Sequence, residues 1–169
     1  ITGRVVSQNS KNAVTVKLYT AGHAGEAAWE KYTAAVTQAG AATGVIGNFT
    51  FHAVAPGSYD LVITKAGHLV YTVKNIAVVS SNIDLTTNSN PAIRSMTLLC
   101  GDITGDGLIN TDDLNLIWNV ANYNRSQSEA VNKITDLNGD GNVNTDDLNI
   151  VWNAANYNKS AKRDCTVTF

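Results

Sequence analysis

The sequence predicts a two-part chain, in which an N-terminal all-β sandwich is followed by an all-α unit made of a duplicated loop and helix. Two observations support this division. Up to about residue 90, short runs rich in β-branched and aromatic residues are separated by turn-forming residues. From residue 102 the period changes, and residues 102–126 align with residues 136–160 at 17 of 25 identical positions. With 169 residues in total, each part can bury a core of its own.

The first part has the pattern of a β-sandwich. Its strand-like runs are 1–7, 13–20, 47–54, 57–64, 68–79 and 82–85. In the second run Val14, Val16 and Leu18 alternate with polar residues, which is typical of a sheet packed on one face. Residues 21–32 interrupt the series and form either a long loop or a helical turn. Residues 91–99 lack a linker composition, so we expect the two parts to pack together.

Charge divides the chain in the same place. Residues 1–101 carry seven Lys or Arg and four Asp or Glu, whereas residues 102–169 carry five and ten. The balance therefore changes from +3 to −5. An acidic half without a basic cluster argues against nucleic-acid binding. Two bound divalent cations would bring the balance of the acidic half to −1, which favours a compact fold.

The repeated loops carry the spacing of a calcium site. Calcium takes six to eight oxygen ligands, which a twelve-residue loop supplies from positions 1, 3, 5, 7, 9 and 12. In the first loop these positions are Asp102, Thr104, Asp106, the carbonyl of Leu108, Asn110 and Asp113. In the second they are Asp136, Asn138, Asp140, the carbonyl of Asn142, Asn144 and Asp147. We therefore expect two calcium ions, the first more weakly bound because the Thr104 hydroxyl is a neutral ligand.

The positions around these ligands support the same interpretation. Gly107 and Gly141 fall at position six, where the chain must turn sharply. Ile109 and Val143, at position eight, are expected to pair with each other across the two loops.

Each loop is followed by a predicted helix. The apolar sets at helical spacing are Leu114, Ile117 and Ala121, and Leu148, Val151 and Ala155. Asn110 and Asn144 stand at the N-cap, with an Asp three residues later as in a capping box. Residues 126–134 are predicted to form a short helix that joins the repeats.

The sequence before the first loop, RSMTLLCG, is extended in pattern, so each loop has only the helix that follows it. This EF-hand-like arrangement, duplicated and with Asp at position 12, resembles the dockerin module of bacterial cellulosomes over residues 102–160. The resemblance implies a secreted, extracellular module that binds calcium and a cohesin domain of a scaffoldin or cell-surface anchoring protein.

The first part is similar to carboxypeptidase-regulatory-like sandwiches in ITGRVV and GNFTFHAVAPGSYDLVITKAGH. An Ig-like sandwich joined to a dockerin resembles the X-module–dockerin pair. We therefore expect an X-module-like sandwich at residues 1–97 and a dockerin at residues 98–169. The expected function is noncatalytic, calcium-dependent docking. The alternative is a carbohydrate-binding or adhesive sandwich with a calcium-stabilised appendage.

A partner-binding surface is predicted on the two helices. Trp118 and Tyr123, with their counterparts Trp152 and Tyr157, flank the apolar stripe among several Asn residues, although core packing is an alternative for the tryptophans. Aromatic anchors among amides are typical of interface hot spots. Together with the positions implied by the dockerin resemblance, the predicted contact residues are Thr111, Asp112, Asn115, Leu116, Trp118, Asn119, Asn122, Tyr123, Thr145, Asp146, Asn149, Ile150, Trp152, Asn153, Asn156 and Tyr157.

No catalytic constellation is predicted, because His23, His52 and His68 are scattered without a nucleophile at motif spacing. Cys100 and Cys165 flank the duplicated unit. If the repeats pair about a twofold axis, the two ends of the unit should lie close together. The two cysteines then either form a disulfide or remain two free buried thiols. No apolar run reaches membrane-spanning length and no signal peptide is present. Because the chain starts at Ile1 rather than Met, we expect a processed or excised fragment.

Overall fold

The structure, a computed structural model, describes residues 1–40, 44–79, 82–161 and 164–167. Its first part contains two β-sheets. Their strands are β1 (Thr2–Ser7), β2 (Thr15–Thr20), β3 (Glu30–Thr33), β4 (Ala35–Ala39), β5 (Val45–Thr50), β6 (Gly57–Thr64), β7 (Tyr71–Val78), β8 (Met96–Thr97) and β13 (Asp164–Thr166). One sheet has the order β4-β5-β1-β8 and the other β13-β7-β6-β2-β3. Within them β8 runs parallel to β1 and β13 parallel to β7, while the other pairs are antiparallel.

The core of this part lies between the two sheets. Val5 and Phe49 of the first sheet and Leu18, Leu61 and Ile63 of the second are fully buried in one cluster. Each strand places alternate side chains on this inner face, because successive residues of a strand point to opposite sides. The arrangement agrees with the predicted N-terminal sandwich. The interruption at residues 21–32 contains a short 3₁₀ turn, Ala27–Trp29, before β3 begins.

The prediction of an all-α second part is wrong. The described residues of this part form two helices of eight residues and four strands of two residues: β9 (Leu108–Ile109), α2 (Thr111–Trp118), β10 (Arg125–Ser126), β11 (Asn142–Val143), α3 (Thr145–Trp152) and β12 (Lys159–Ser160). The third described helix, α1 (Pro91–Arg94), precedes β8. The helix predicted at 126–134 is replaced by turns and the 3₁₀ helix Lys133–Thr135. None of the helices in the described ranges is both long and apolar enough to cross a membrane.

Two asparagines end the helices early. Asn119 and Asn153 are extended, with φ −61° and ψ 134° and with φ −61° and ψ 133°. Their side chains accept hydrogen bonds from the amide two residues later, at 2.9 and 2.8 Å. Such local bonds compete with the helix. The predicted helical positions Ala121 and Ala155 therefore lie outside α2 and α3.

The short strands interlock the repeats. β9 pairs with β12, so that Ile109 faces Lys159, and β11 pairs with β10, so that Val143 faces Arg125. Each loop thus pairs with the segment that follows the helix of the other repeat. The predicted direct pairing of Ile109 with Val143 is wrong, although both are fully buried in the same core cluster.

The two parts contact each other, as predicted from the absence of a linker. The amide of Leu69 donates to the Leu99 carbonyl at 2.9 Å, and that of Gly101 donates to the Gly67 carbonyl at 2.8 Å. The chain then returns to the sandwich at its end, where β13 joins β7 and Val167 enters the core between the sheets. The division at residue 97 remains a prediction.

Cys100 is a buried, free thiol, whereas the side chain of Cys165, its partner in the predicted disulfide alternative, lies outside the described residues. The backbone of Cys100 bridges His68, whereas that of Cys165 pairs with Val73 in the β13–β7 ladder.

Candidate functional site

Each loop is closed by the aspartate at its first position. In the first loop Asp102 accepts hydrogen bonds from the amides of Gly105 and Gly107 at 2.8 and 3.2 Å. In the second loop Asp136 accepts the equivalent bonds from Gly139 and Gly141 at 2.8 and 3.1 Å. The two loops therefore have the same pattern of internal hydrogen bonds, as their sequence identity predicts.

The aspartate at position 12 ties each helix back to its loop. Asp113 accepts from the amides of Ile103, Thr104 and Asn110 at 2.8, 3.0 and 2.9 Å. Asp147 accepts from the corresponding amides of the second loop at 2.7, 3.2 and 2.9 Å. Both helices have the complete capping box. This confirms the predicted helix starts at Asn110 and Asn144.

Burial makes these carboxylates costly to hold in charged form. Asp113, Asp136 and Asp147 are fully buried and Asp102 is 5% exposed. Burial raises the pKa of Asp102, and the negative charges of Asp113 and Asp106 raise it further. Burial also raises the pKa of Asp147 to about 6, against three amides that donate to it. A bound cation would offset the cost of burying these carboxylates in charged form.

The chemistry of the loops fits calcium, because the ligands at the predicted positions are oxygens and six of them are carboxylates. Asp106 and Asp140 are exposed, and each accepts from the amide two residues later at 2.8 Å. Asn110 and Asn144 use their side-chain oxygens to cap α2 and α3. Within the described ranges, no three His, Cys, Asp or Glu side chains are grouped closely enough to hold a metal by themselves. Carbonyl and amide oxygens would have to complete either set.

The two helices enclose a shallow groove on the protein surface. Its volume is about 360 Å³. It is lined by Thr111, Leu114, Asn115 and Trp118 of α2 and by Thr145, Leu148, Asn149 and Trp152 of α3. Each lining residue has its partner 34 positions along the chain, so the groove is made of two equivalent halves.

Two tryptophan side chains form part of the lining of this groove. Trp118 is 63% exposed and Trp152 is 65% exposed, so neither belongs to the core. Each indole packs on the tyrosine of its own repeat, with ring centroids 4.8 Å apart for Trp118 and Tyr123 and 5.1 Å for Trp152 and Tyr157. These contacts hold large apolar faces toward solvent, as protein-binding surfaces do.

Residues 100–156 match the family model described as the dockerin type I domain. This segment resembles a dockerin domain. No curated protein sequence matches the chain.

Two solved structures resemble nearly the whole chain, and both are mutants of the type II cohesin–X-dockerin complex from Acetivibrio cellulolyticus. A chain of the N-terminal interface mutant is 25% identical, with a TM-score of 0.58, and the match covers 95% of this protein and 96% of that chain. A chain of the C-terminal interface mutant is 23% identical, with a TM-score of 0.57, and the match covers 95% and 97%. The similarity supports the predicted pairing of a sandwich with a dockerin.

The structure brings only some predicted contact residues to the groove between α2 and α3. Thr111, Asn115 and Trp118 line it with their equivalents in α3, whereas the exposed Asp112 and Asp146 lie outside the lining. Leu114 and Leu148 were assigned from sequence to the apolar stripe alone, yet they are half-buried and also line the groove. Both positions are leucine, and this agreement between the repeats is the sequence signal that could have indicated a place in the groove lining.

Two predicted contact residues have a structural role instead. Asn122 and Asn156 are buried, and their amide groups donate to the carbonyls of Leu116 and Ile150 at 2.7 and 2.8 Å. These carbonyls stand near the helix C-termini, where intrahelical donors are missing. Asn122 also accepts from the amide of Asn132 at 2.9 Å. Leu116 and Ile150 are half-buried against the dockerin core.

Proposed function

We propose that this chain is a noncatalytic, calcium-dependent docking module whose dockerin binds a cohesin domain through the groove between α2 and α3. The observation that carries the proposal is the groove itself, an exposed apolar surface built twice over from equivalent residues. The family match and the cohesin complexes among the similar structures support the class of partner.

The groove has the composition of a protein interface. Trp118 and Trp152 supply large exposed apolar area, while Asn115 and Asn149 supply hydrogen-bonding groups between them. Binding energy in such interfaces concentrates in a few buried aromatic anchors, and surrounding polar groups select the partner. The cohesin would therefore cover the indole of one half and pair with the amide group of that half, and either half could serve.

Calcium bound in the two loops would stabilise the fold that presents the groove. Dockerin type I domains bind calcium in general, and we assign one ion to each loop of this chain. The first would be held by Asp102, Thr104, Asp106, Leu108, Asn110 and Asp113, and the second by Asp136, Asn138, Asp140, Asn142, Asn144 and Asp147. A bound dication compensates the buried carboxylates and stabilises the native state by linkage.

The remaining assignments follow from the same proposal. Residues 1–97 would be an X-module-like sandwich and residues 98–169 the dockerin. The partner would be the cohesin of a scaffoldin or of a cell-surface anchoring protein, and the assembly would work outside the cell, as dockerins and cellulosome components do.

A pull-down against a panel of type I and type II cohesins, with calcium and with a chelator, tests the proposal. We expect at least one cohesin to be retained with calcium and released by the chelator. Trp118→Ala combined with Trp152→Ala should abolish retention, whereas Trp29→Ala, in the sandwich, should not. Retention by no cohesin, or retention unchanged by the double substitution, would contradict the proposal.

A further inference from the structure

The turn between β1 and β2 lies directly on the second calcium loop. Asn9 is fully buried, and its amide group donates to the backbone carbonyl of Asp136 at 2.9 Å. Its side-chain oxygen accepts from the amide of Lys11 at 2.9 Å, which holds the turn in shape. The Lys11 ammonium lies 4.0 Å from a carboxylate oxygen of Asp136. The sandwich thus places a hydrogen bond and a positive charge on the first residue of that loop.

The glycines of the two loops show that the sandwich contacts the second loop at a position where it does not contact the first. Gly139 and Gly105 are equivalent and share a φ of +75°. A Cβ on Gly139 would lie 2.5 Å from the Asn9 side-chain oxygen, whereas a Cβ on Gly105 would meet nothing within 4 Å. A Cβ on Gly141 would come within 3.6 Å of the Lys11 ammonium. The second loop is therefore covered by the sandwich at a place where the first loop is open.

We propose that Asn9 and Lys11 act on the second calcium site alone: both hold the second loop in its folded shape without calcium, and the Lys11 charge weakens the affinity of that loop for the ion. This inference rests on the proposed calcium binding. In the empty loop the Lys11 ammonium partly compensates the buried Asp136 carboxylate. When calcium approaches, the same ammonium repels it, because Asp136 is a ligand of the second site.

The expected size of the effect follows from the position of Lys11. Its side chain is 48% exposed, so water and salt screen its charge. A partly screened positive charge beside a dication should change calcium affinity by about three- to tenfold. The ligand sets act in the opposite direction, since the second loop has Asn138 where the first has the weaker Thr104. The turn therefore reduces a difference that the ligands alone would create.

Lys11→Gln tests the charge, with Lys31→Gln in the exposed part of β3 as the matched control. Calcium titration is followed by NMR through the backbone amide resonances of Gly107 and Gly141. Gly107 reports the first loop and Gly141 the second. We expect Lys11→Gln to raise the affinity of the second loop about three- to tenfold and to leave the first unchanged. In calcium-free protein, hydrogen exchange at the amides of Leu137 and Asn144 should accelerate. Lys31→Gln should change neither measurement.

Equal behaviour of the two lysine variants would overturn the proposed charge effect. Absence of calcium binding by the wild-type protein would instead overturn the proposed function, and the exchange rates of the calcium-free protein would still test the contact.

Gly139→Ala and Gly105→Ala test the contact with Asn9. Both substitutions carry the same backbone strain at a φ of +75°, but only the first meets the Asn9 side chain. We expect Gly139→Ala to accelerate exchange in its own loop more than Gly105→Ala does in the other. In an Asn9→Gly background this excess should disappear. Equal acceleration in both loops, or an excess that persists without Asn9, would contradict the proposed contact.

Discussion

The hydroxyl of Tyr123 in the first repeat lies 2.9 Å from the hydroxyl of Thr145 in the second, and Tyr157 and Thr111 make the reverse contact at 2.9 Å. These reciprocal hydrogen bonds join the end of each repeat to the start of the helix in the other repeat. They hold the two halves of the groove in register.

Replacing both tyrosines with phenylalanine should loosen this connection. Each lost hydrogen bond should lower the free energy of unfolding by about 0.5–1 kcal/mol, at the low end of the usual range because the bonds are exposed. Urea unfolding of the calcium-bound protein measures the loss. In a double-mutant cycle, Tyr123→Phe and Thr145→Val should be non-additive, since they remove the same bond. Full additivity would show that the hydroxyls do not interact.

The equivalence of the halves predicts two orientations of the bound cohesin, related by a rotation of about 180°. Substituting Trp118 and Asn119 with alanine should leave affinity nearly intact, and so should substituting Trp152 and Asn153. Combining the two sets should abolish binding, measured by calorimetry against the cohesin identified in the pull-down. A large loss from either single set would indicate one fixed orientation.

Buried and exposed asparagines should have separate effects. Asn122→Ala removes a buried amide from the carbonyl of Leu116 and should lower the free energy of unfolding by about 1–3 kcal/mol. Asn115→Ala combined with Asn149→Ala, both in the exposed groove lining, should change stability by less than about 0.5 kcal/mol per substitution but weaken cohesin binding, because both equivalent halves are altered. Thermal unfolding and calorimetry on both variants make the comparison. A stability loss of the same size in both would contradict these roles.

His68 should make stability depend on pH. Burial lowers the pKa of His68 to about 4, its bond to the Ala66 carbonyl opposes the shift, and the nearby Lys65 charge adds to it. Its Nε2 accepts from the amide of Gln8 at 3.1 Å, which requires the neutral ring. Between pH 6.5 and 4 only the unfolded state takes up this proton. The free energy of unfolding should therefore decrease as the pH is lowered from 6.5 to 4, by up to about 3 kcal/mol.

Denaturant unfolding at several pH values, with saturating calcium, measures this dependence. His68→Gln should flatten the slope between pH 4 and 6.5, whereas His52→Gln, at an exposed position, should leave it unchanged. An unchanged slope in His68→Gln would contradict the assignment of the buried neutral histidine.

Much of the candidate site could be predicted from sequence because its signals are local. The ligand spacing, the turn glycines and the Asn N-caps depend on residues within one twelve-residue loop, and the duplication makes each signal appear twice. The exposure of Trp118 was predicted for the same reason, since its angular position on the helix places it beside the apolar stripe. The bound-calcium geometry itself remains a prediction.

Other features depended on contacts between distant residues. Helical spacing extends through Ala121, but the side chain of Asn119 forms a competing turn that ends the helix earlier. Ile109 pairs with Lys159 rather than Val143, because the segment after one helix reaches the loop of the other repeat. Sequence periodicity does not specify which of several short segments will pair.

The sequence by itself determined the division into a β part and a part with loop–helix repeats. It also determined the equivalence of the repeats and the identity of the candidate calcium ligands. All of these are patterns of neighbouring residues. Only the tertiary structure decided that Asn122 is buried, that Leu114 lines the groove and that Asn9 rests on Gly139. Each of these depends on how separate segments pack, and packing between segments far apart in the chain leaves no periodic signal in either segment alone.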